Sequence, residues 1–144
     1  LKKILPKHFN SFPVKKKEVT DAILANKTNL KKIIKIIHTS VNKKLHKFLQ
    51  KNKTKKIVIL DIPLLLENKI NKKNDILVFV QSKKSIINKK LKKRKGFNKK
   101  LLNKFKNIQL SIDYKKRKSQ FIIKNDFTKK TIKRYVKDIL REIL

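Results

Sequence analysis

Between Leu30 and Leu49 the apolar residues Leu30, Ile33, Ile34, Ile37, Val41, Leu45, Phe48 and Leu49 are spaced three, one, three, four, four, three and one apart. That spacing predicts one face of an amphipathic helix running to about Lys51, with Thr28 or Asn29 able to cap its start. Upstream, Leu1, Ile4, Leu5 and Phe9 read as the end of another helix, residues 10–17 with Ser11 and Pro13 as a loop, and Glu18 to Ala25 as a short helix presenting Val19, Ile23 and Leu24.

The pattern then changes from helical periodicity to short continuous apolar runs. Ile57 to Leu60, Ile76 to Val80 and Phe121 to Ile123 are such runs, rich in β-branched residues and bounded by polar positions. Runs of this kind suit strands of a parallel sheet covered on both faces. Between and after them come helical stretches: Ile86, Ile87 and Leu91 up to Arg94, with Ser82 or Ser85 at the start; Leu101, Leu102, Phe105 and Ile108; and Ile132, Tyr135, Val136, Ile139, Leu140 and Ile143, led by Asp126 or Thr128. Gly96, the single glycine, fits a left-handed helix stop. Strands alternating with helices predict an α/β fold with a parallel sheet in one domain. Ligands of open α/β sheets bind beyond the carboxyl ends of the strands, which draws attention to Asp61, while Pro63 cannot donate to a ladder and ends the run.

Composition changes this picture little. The 144 residues carry 43 Lys and Arg against 9 Asp and Glu, a formal charge of +34. Clustered cations ordinarily point to nucleic acid or another polyanion. Here lysines are scattered through every segment, Lys, Ile and Asn make up half the chain, and arginine occurs only at positions 94, 117, 134 and 141. That pattern fits a coding bias better than selection for phosphate contacts, where arginine's planar fork is favoured. A nonspecific polyanion affinity is still expected. The absence of cysteine excludes disulfides and thiolate chemistry. No apolar run approaches the roughly 18 residues of a membrane span, so no membrane is called for, and a cytoplasmic location is the expectation.

The residues around Asp61 are more specific taken together than singly. An aliphatic run leads into Asp61-Ile62-Pro63-Leu64-Leu65-Leu66-Glu67-Asn68, and a second aliphatic run follows. Ile36-Ile37-His38-Thr39-Ser40-Val41 lies upstream; Lys90-Leu91-Lys92-Lys93-Arg94, Gln109 and Lys115 to Asn125 lie downstream. In this order they resemble the dephospho-coenzyme A kinase family, with Thr39 at a usual proline, Ser119-Gln120 at an Ala-Asp pair and Lys124 at a common Asp. The resemblance covers nearly the whole chain.

It implies a P-loop, nucleoside-monophosphate-kinase-like three-layer fold whose first strand and Gly-rich P-loop are missing from this sequence. That loop, and an early acceptor-directed Asp, are expected to precede Leu1, which is not a Met. The implied reaction moves the γ-phosphoryl of ATP, with Mg²⁺, to the ribose 3′-hydroxyl of dephospho-CoA. Residues 1–51 would form the acceptor-binding part, 57–80 the core, 95–109 the lid and 120–144 the last strand and helix. Arg94, Lys90 and Asp61 are implied as catalytic; Pro63, Glu67, His38 and Lys115 as substrate-binding; Asn125 and Arg94 as nucleotide-binding; no metal-ligand set is assigned. Read alone, Asp61 fits a loop-forming or capping residue better than a catalytic one and His38 a structural histidine, while Glu67 has the alternative of only tying down its loop. A basic nucleic-acid-binding protein and an inactive kinase-like homologue are the alternative readings.

Overall fold

The computed structural model describes residues 1–144 and contains six α-helices and two strands. In chain order these are α1 (Lys16–Ala25), α2 (Lys27–Lys51), β1 (Val78–Gln81), α3 (Lys84–Lys92), α4 (Lys99–Lys106), α5 (Ile112–Lys118), β2 (Phe121–Lys124) and α6 (Lys129–Ile143). They fall into two compact units, Leu1–Pro63 with Lys99–Lys106, and Leu64–Asn98 with Asn107–Leu144. No helix is long and apolar enough to cross a membrane.

The first unit holds most of the buried apolar residues. Leu5, Phe9, Ala22, Ile23, Leu30 and Ile33 are all buried, Phe9 completely. Burying a side chain the size of Phe, Leu or Ile contributes roughly 1.5–3 kcal/mol each. The expected N-terminal helix is instead an isolated turn, in which Leu5 N–H donates to the Leu1 carbonyl, followed by a 3-10 turn over Pro6–His8. Pro6 explains the difference, since proline disfavours helical backbone at the residue before it, and Leu5 is non-helical with φ −133° and ψ 63°.

Asn26 ends α1 and begins α2: its backbone is extended, and its side-chain oxygen accepts the Thr28 N–H at 2.9 Å. Neither Thr28 nor Asn29 is the cap. Asn29 is buried inside the unit, donating to the Ala22 carbonyl at 2.9 Å and lying 3.2 Å from His8 Nε2. The apolar stripe of α2 is fully buried only at Leu30 and Ile33; Val41, Leu45 and Leu49 are half-buried, and Ile37 and Phe48 are exposed. Helix α4 joins this unit through Lys104, whose ammonium donates to the Ile23 and Leu24 carbonyls at 2.7 and 3.1 Å. Those carbonyls are the orphaned acceptors at the end of α1.

The second unit is built on β1 and β2, which pair in parallel with Val78 opposite Phe121 and Gln81 opposite Lys124. Before the ladder, Gln120 completes it by accepting the Leu77 N–H at 2.7 Å, while Leu77's carbonyl accepts from Gln120 and Phe121. Beyond it, Asn125 N–H donates to the Gln81 carbonyl at 2.7 Å. Ile123 is buried, and α6 packs against β2. Thr128 caps α6 by accepting the Thr131 N–H, as its place before the apolar stripe predicts, and Asp126 braces that cap. Gly96 has φ 75°, the left-handed turn expected of it after α3.

One expected strand is absent from the sheet. Ile57 to Leu60 takes no part in a ladder, and Ile59 is 84% exposed. A strand needs a neighbour to satisfy its N–H and C=O groups, and apolar content alone supplies none. The helix-rich α/β architecture with a parallel sheet is as the sequence predicts.

Candidate functional site

Two constellations in the second unit bring sequence-predicted residues into defined geometry. The first begins at Pro63, beyond which the chain makes a tight turn. Asn68 N–H donates to the Leu64 carbonyl and Ile70 N–H to the Leu65 carbonyl, both at 3.1 Å. Leu64 (φ 56°) and Lys69 (φ 51°) bracket this turn in left-handed backbone, a conformation that costs a non-glycine residue on the order of 1–3 kcal/mol. Strain of this kind persists where the surroundings over-determine it. Between the two, Glu67 Oε1 meets Lys115 Nζ at 2.6 Å and accepts the Leu110 N–H at 3.0 Å. Burial pushes the Glu67 carboxyl up, but the Lys115 and Leu110 hydrogen bonds outweigh it and hold the group below the ordinary range. Beside it, Asn68 Nδ2 is buried without an acceptor.

The second constellation lies at the carboxyl ends of β1 and β2. A cavity of about 350 Å³ there is lined by Gln81, Ser82, Lys83, Lys124, Asn125 and Asp126. This is the position where open parallel sheets take their ligands. Asn125 is fixed by its ladder-like bond to Gln81, and its side-chain oxygen accepts the Phe127 N–H at 2.7 Å. That turn places Phe127 at φ 68°, again left-handed for a bulky residue. The Lys90 ammonium sits 4.3 Å from the centre of the Phe127 ring, a cation–π contact contributing roughly 0.5–1 kcal/mol where solvent reaches it. Asp126 is held below its ordinary range by hydrogen bonds from the Thr128 backbone and the Thr131 and Thr128 hydroxyls. Its oxygens are spent on the α6 cap.

The remaining predicted residues are placed as follows. Arg94 is in the turn after α3, its N–H donating to the Leu91 carbonyl at 3.1 Å and its carbonyl accepting from Phe97, with its side chain exposed. In the first unit, His38 is half-buried in the middle of α2, while Asp61 and Pro63 are exposed. Asp61 makes no hydrogen bond or ion pair, which leaves its carboxylate free. No three His, Asp or Glu side chains gather as a metal-holding group. Sequence reasoning missed Gln81 and Ser82 as cavity walls and Leu110 as a partner of Glu67. The last residues of the two predicted strands were the signal for the former; a backbone donor leaves none.

Comparison with known proteins matches residues 13–131 to the family model described as dephospho-CoA kinase. A dephospho-CoA kinase of Wolbachia pipientis wMel is 35% identical over 119 residues, covering 81% of this chain and 60% of that protein. One of Fusobacterium nucleatum is 32% identical over 124 residues, covering 86% and 62%, and one of Rickettsia bellii is 28% identical over 141 residues, covering 98% and 72%. The chain thus spans about 60% of the length of the first two. With a family match over most of its length and relatives that agree in description, the chain belongs to the dephospho-CoA kinase family.

Proposed function

We propose that this chain serves the transfer of the γ-phosphoryl group of ATP to the ribose 3′-hydroxyl of dephospho-CoA, the last step of coenzyme A synthesis. The observation that carries the reading is the cavity at the carboxyl ends of β1 and β2, walled by Asn125 in a chain of this family. Phosphoryl transfer needs little covalent chemistry from protein groups. It needs reactants held in line and cations where negative charge spreads.

In this reading Asn125 borders the nucleotide, and Lys90 and Arg94, on and just after α3, supply positive charge to the transferring group. Lys115, whose side chain is 22% exposed, is the cation offered to the acceptor's anionic groups. A Mg²⁺ accompanying ATP is part of this reading. When bound, that ion neutralises charge on the phosphates.

Calorimetric titration with dephospho-CoA at about 0.15 M salt tests the reading. Saturable one-site binding that excess duplex DNA leaves intact is the expected outcome, because nonspecific phosphate contacts weaken steeply at that ionic strength. Absence of saturable binding at millimolar dephospho-CoA, or tight DNA binding at the same salt that dephospho-CoA does not displace, would overturn it.

A further inference from the structure

Glu67 and Lys115 are oppositely charged partners with unequal access to solvent. The carboxylate side chain is 8% exposed and the lysine side chain 22%. The lysine is thus the more solvent-accessible member of the pair. Glu67 Oε1 already accepts from both Lys115 Nζ and the Leu110 N–H, whereas the ammonium has three N–H groups and gives one of them to Glu67. A phosphate or pyrophosphate would be repelled by a bare carboxylate and drawn to the cation beside it.

The position of the carboxylate is itself over-determined. It projects from a turn bracketed by left-handed Leu64 and Lys69. Across from it, Leu110 directly precedes Ser111, the cap of α5, and Lys115 lies one turn into that helix with its own N–H on the Ser111 carbonyl at 3.1 Å. One oxygen thus fixes both the entrance to α5 and the side chain one turn along it. Removing the charge would leave Lys115 to swing among the rotamers open to a long unbranched side chain.

We propose that Glu67 is a positioning residue: through its ion pair it aims the Lys115 ammonium at the anionic group of the ligand, and it does not touch the ligand itself. The proposal rests on the reading of the site given above, in which Lys115 meets the acceptor.

A double-mutant cycle with dephospho-CoA as the titrant tests it. Glu67→Gln keeps the volume and an oxygen for the Leu110 N–H while removing the charge; Lys115→Met keeps the stem and removes the ammonium. Each change alone is expected to weaken binding about tenfold, the double variant no more than Lys115→Met alone, and Glu67→Asp to recover part of the loss. Additive losses would show Glu67 meeting the ligand, and unchanged affinity in Glu67→Gln would show that it positions nothing; either result overturns the proposal. If the wild-type chain binds no dephospho-CoA, the functional reading fails, and the pairing is read without ligand. Competitive acylation of surface amines then reports it: Glu67→Gln should raise labelling of Lys115 several-fold relative to the other lysines. Equal labelling of Lys115 in both proteins would overturn the pairing too.

Discussion

Glu18 accepts four hydrogen bonds, from the Asn10, Ser11 and Lys15 N–H groups and the Ser11 hydroxyl, and so laces the loop ahead of α1 to the helix's first turn. The Ser11 hydroxyl leads the donors that hold its carboxyl at about 2, against an ordinary 4.5. A group with a depressed folded-state pKa adds stability that is present above the unfolded value and lost as pH falls through the folded one. The loop's contribution should therefore fade between about pH 4.5 and about pH 2. Glu18→Gln should melt below wild type at pH 7, by an amount that solvent screening keeps modest, and the gap in thermal midpoint should close near pH 2; a gap that persists there would show that the carboxylate charge is not what holds the loop. Nothing in the sequence marks Glu18 for this task. Its partners are mostly backbone amides of an irregular loop, and only tertiary geometry brings them together, whereas Asn125 and Lys115 were named as site candidates from the motif order around them.

At the scale of elements, Asn26 is a joint between two helices, with α1 ending and α2 starting on one residue. Asn26→Ala removes the acceptor for the Thr28 N–H, and a lost N-cap costs about 1 kcal/mol, readable as a lower urea midpoint at unchanged slope. A change in slope would mean that α2 loosens in the native state. Helices α2 and α6 were legible because their apolar residues recur at helical spacing. Helix α5 was not: its residues Ile-Asp-Tyr-Lys-Lys-Arg-Lys carry no apolar stripe, Ile112 is 61% exposed, and the helix is held by the Ser111 cap and the Glu67 contacts. The stretch Ile57 to Leu60 erred the other way. Its β-branched run reads as a strand, yet pairing depends on a neighbouring backbone that local sequence does not encode.

Over the whole molecule, a formal charge of +34 on 144 residues sets lysines against one another at distances that salt can screen. The Debye length falls from about 30 Å at 0.01 M salt to about 8 Å at 0.15 M. The thermal midpoint should rise across that range, and a flat response would mean that the repulsion is relieved locally or is equally strong in the unfolded chain. The family resemblance survived this charge because it resides in the order of uncommon residues, Asp61, Pro63, Glu67, Arg94 and Gln109, which a lysine-rich background does not imitate. The division of the chain has a consequence for anyone who would take it apart. Its backbone passes between the two compact units at residues 63–64, 98–99 and 106–107, since α4 belongs to one while its flanks belong to the other. No single break in the gene separates them: a split after Pro63 would strand α4 on the wrong polypeptide, and the Lys104 bonds to Ile23 and Leu24 could form again only if the two halves were made together and found each other.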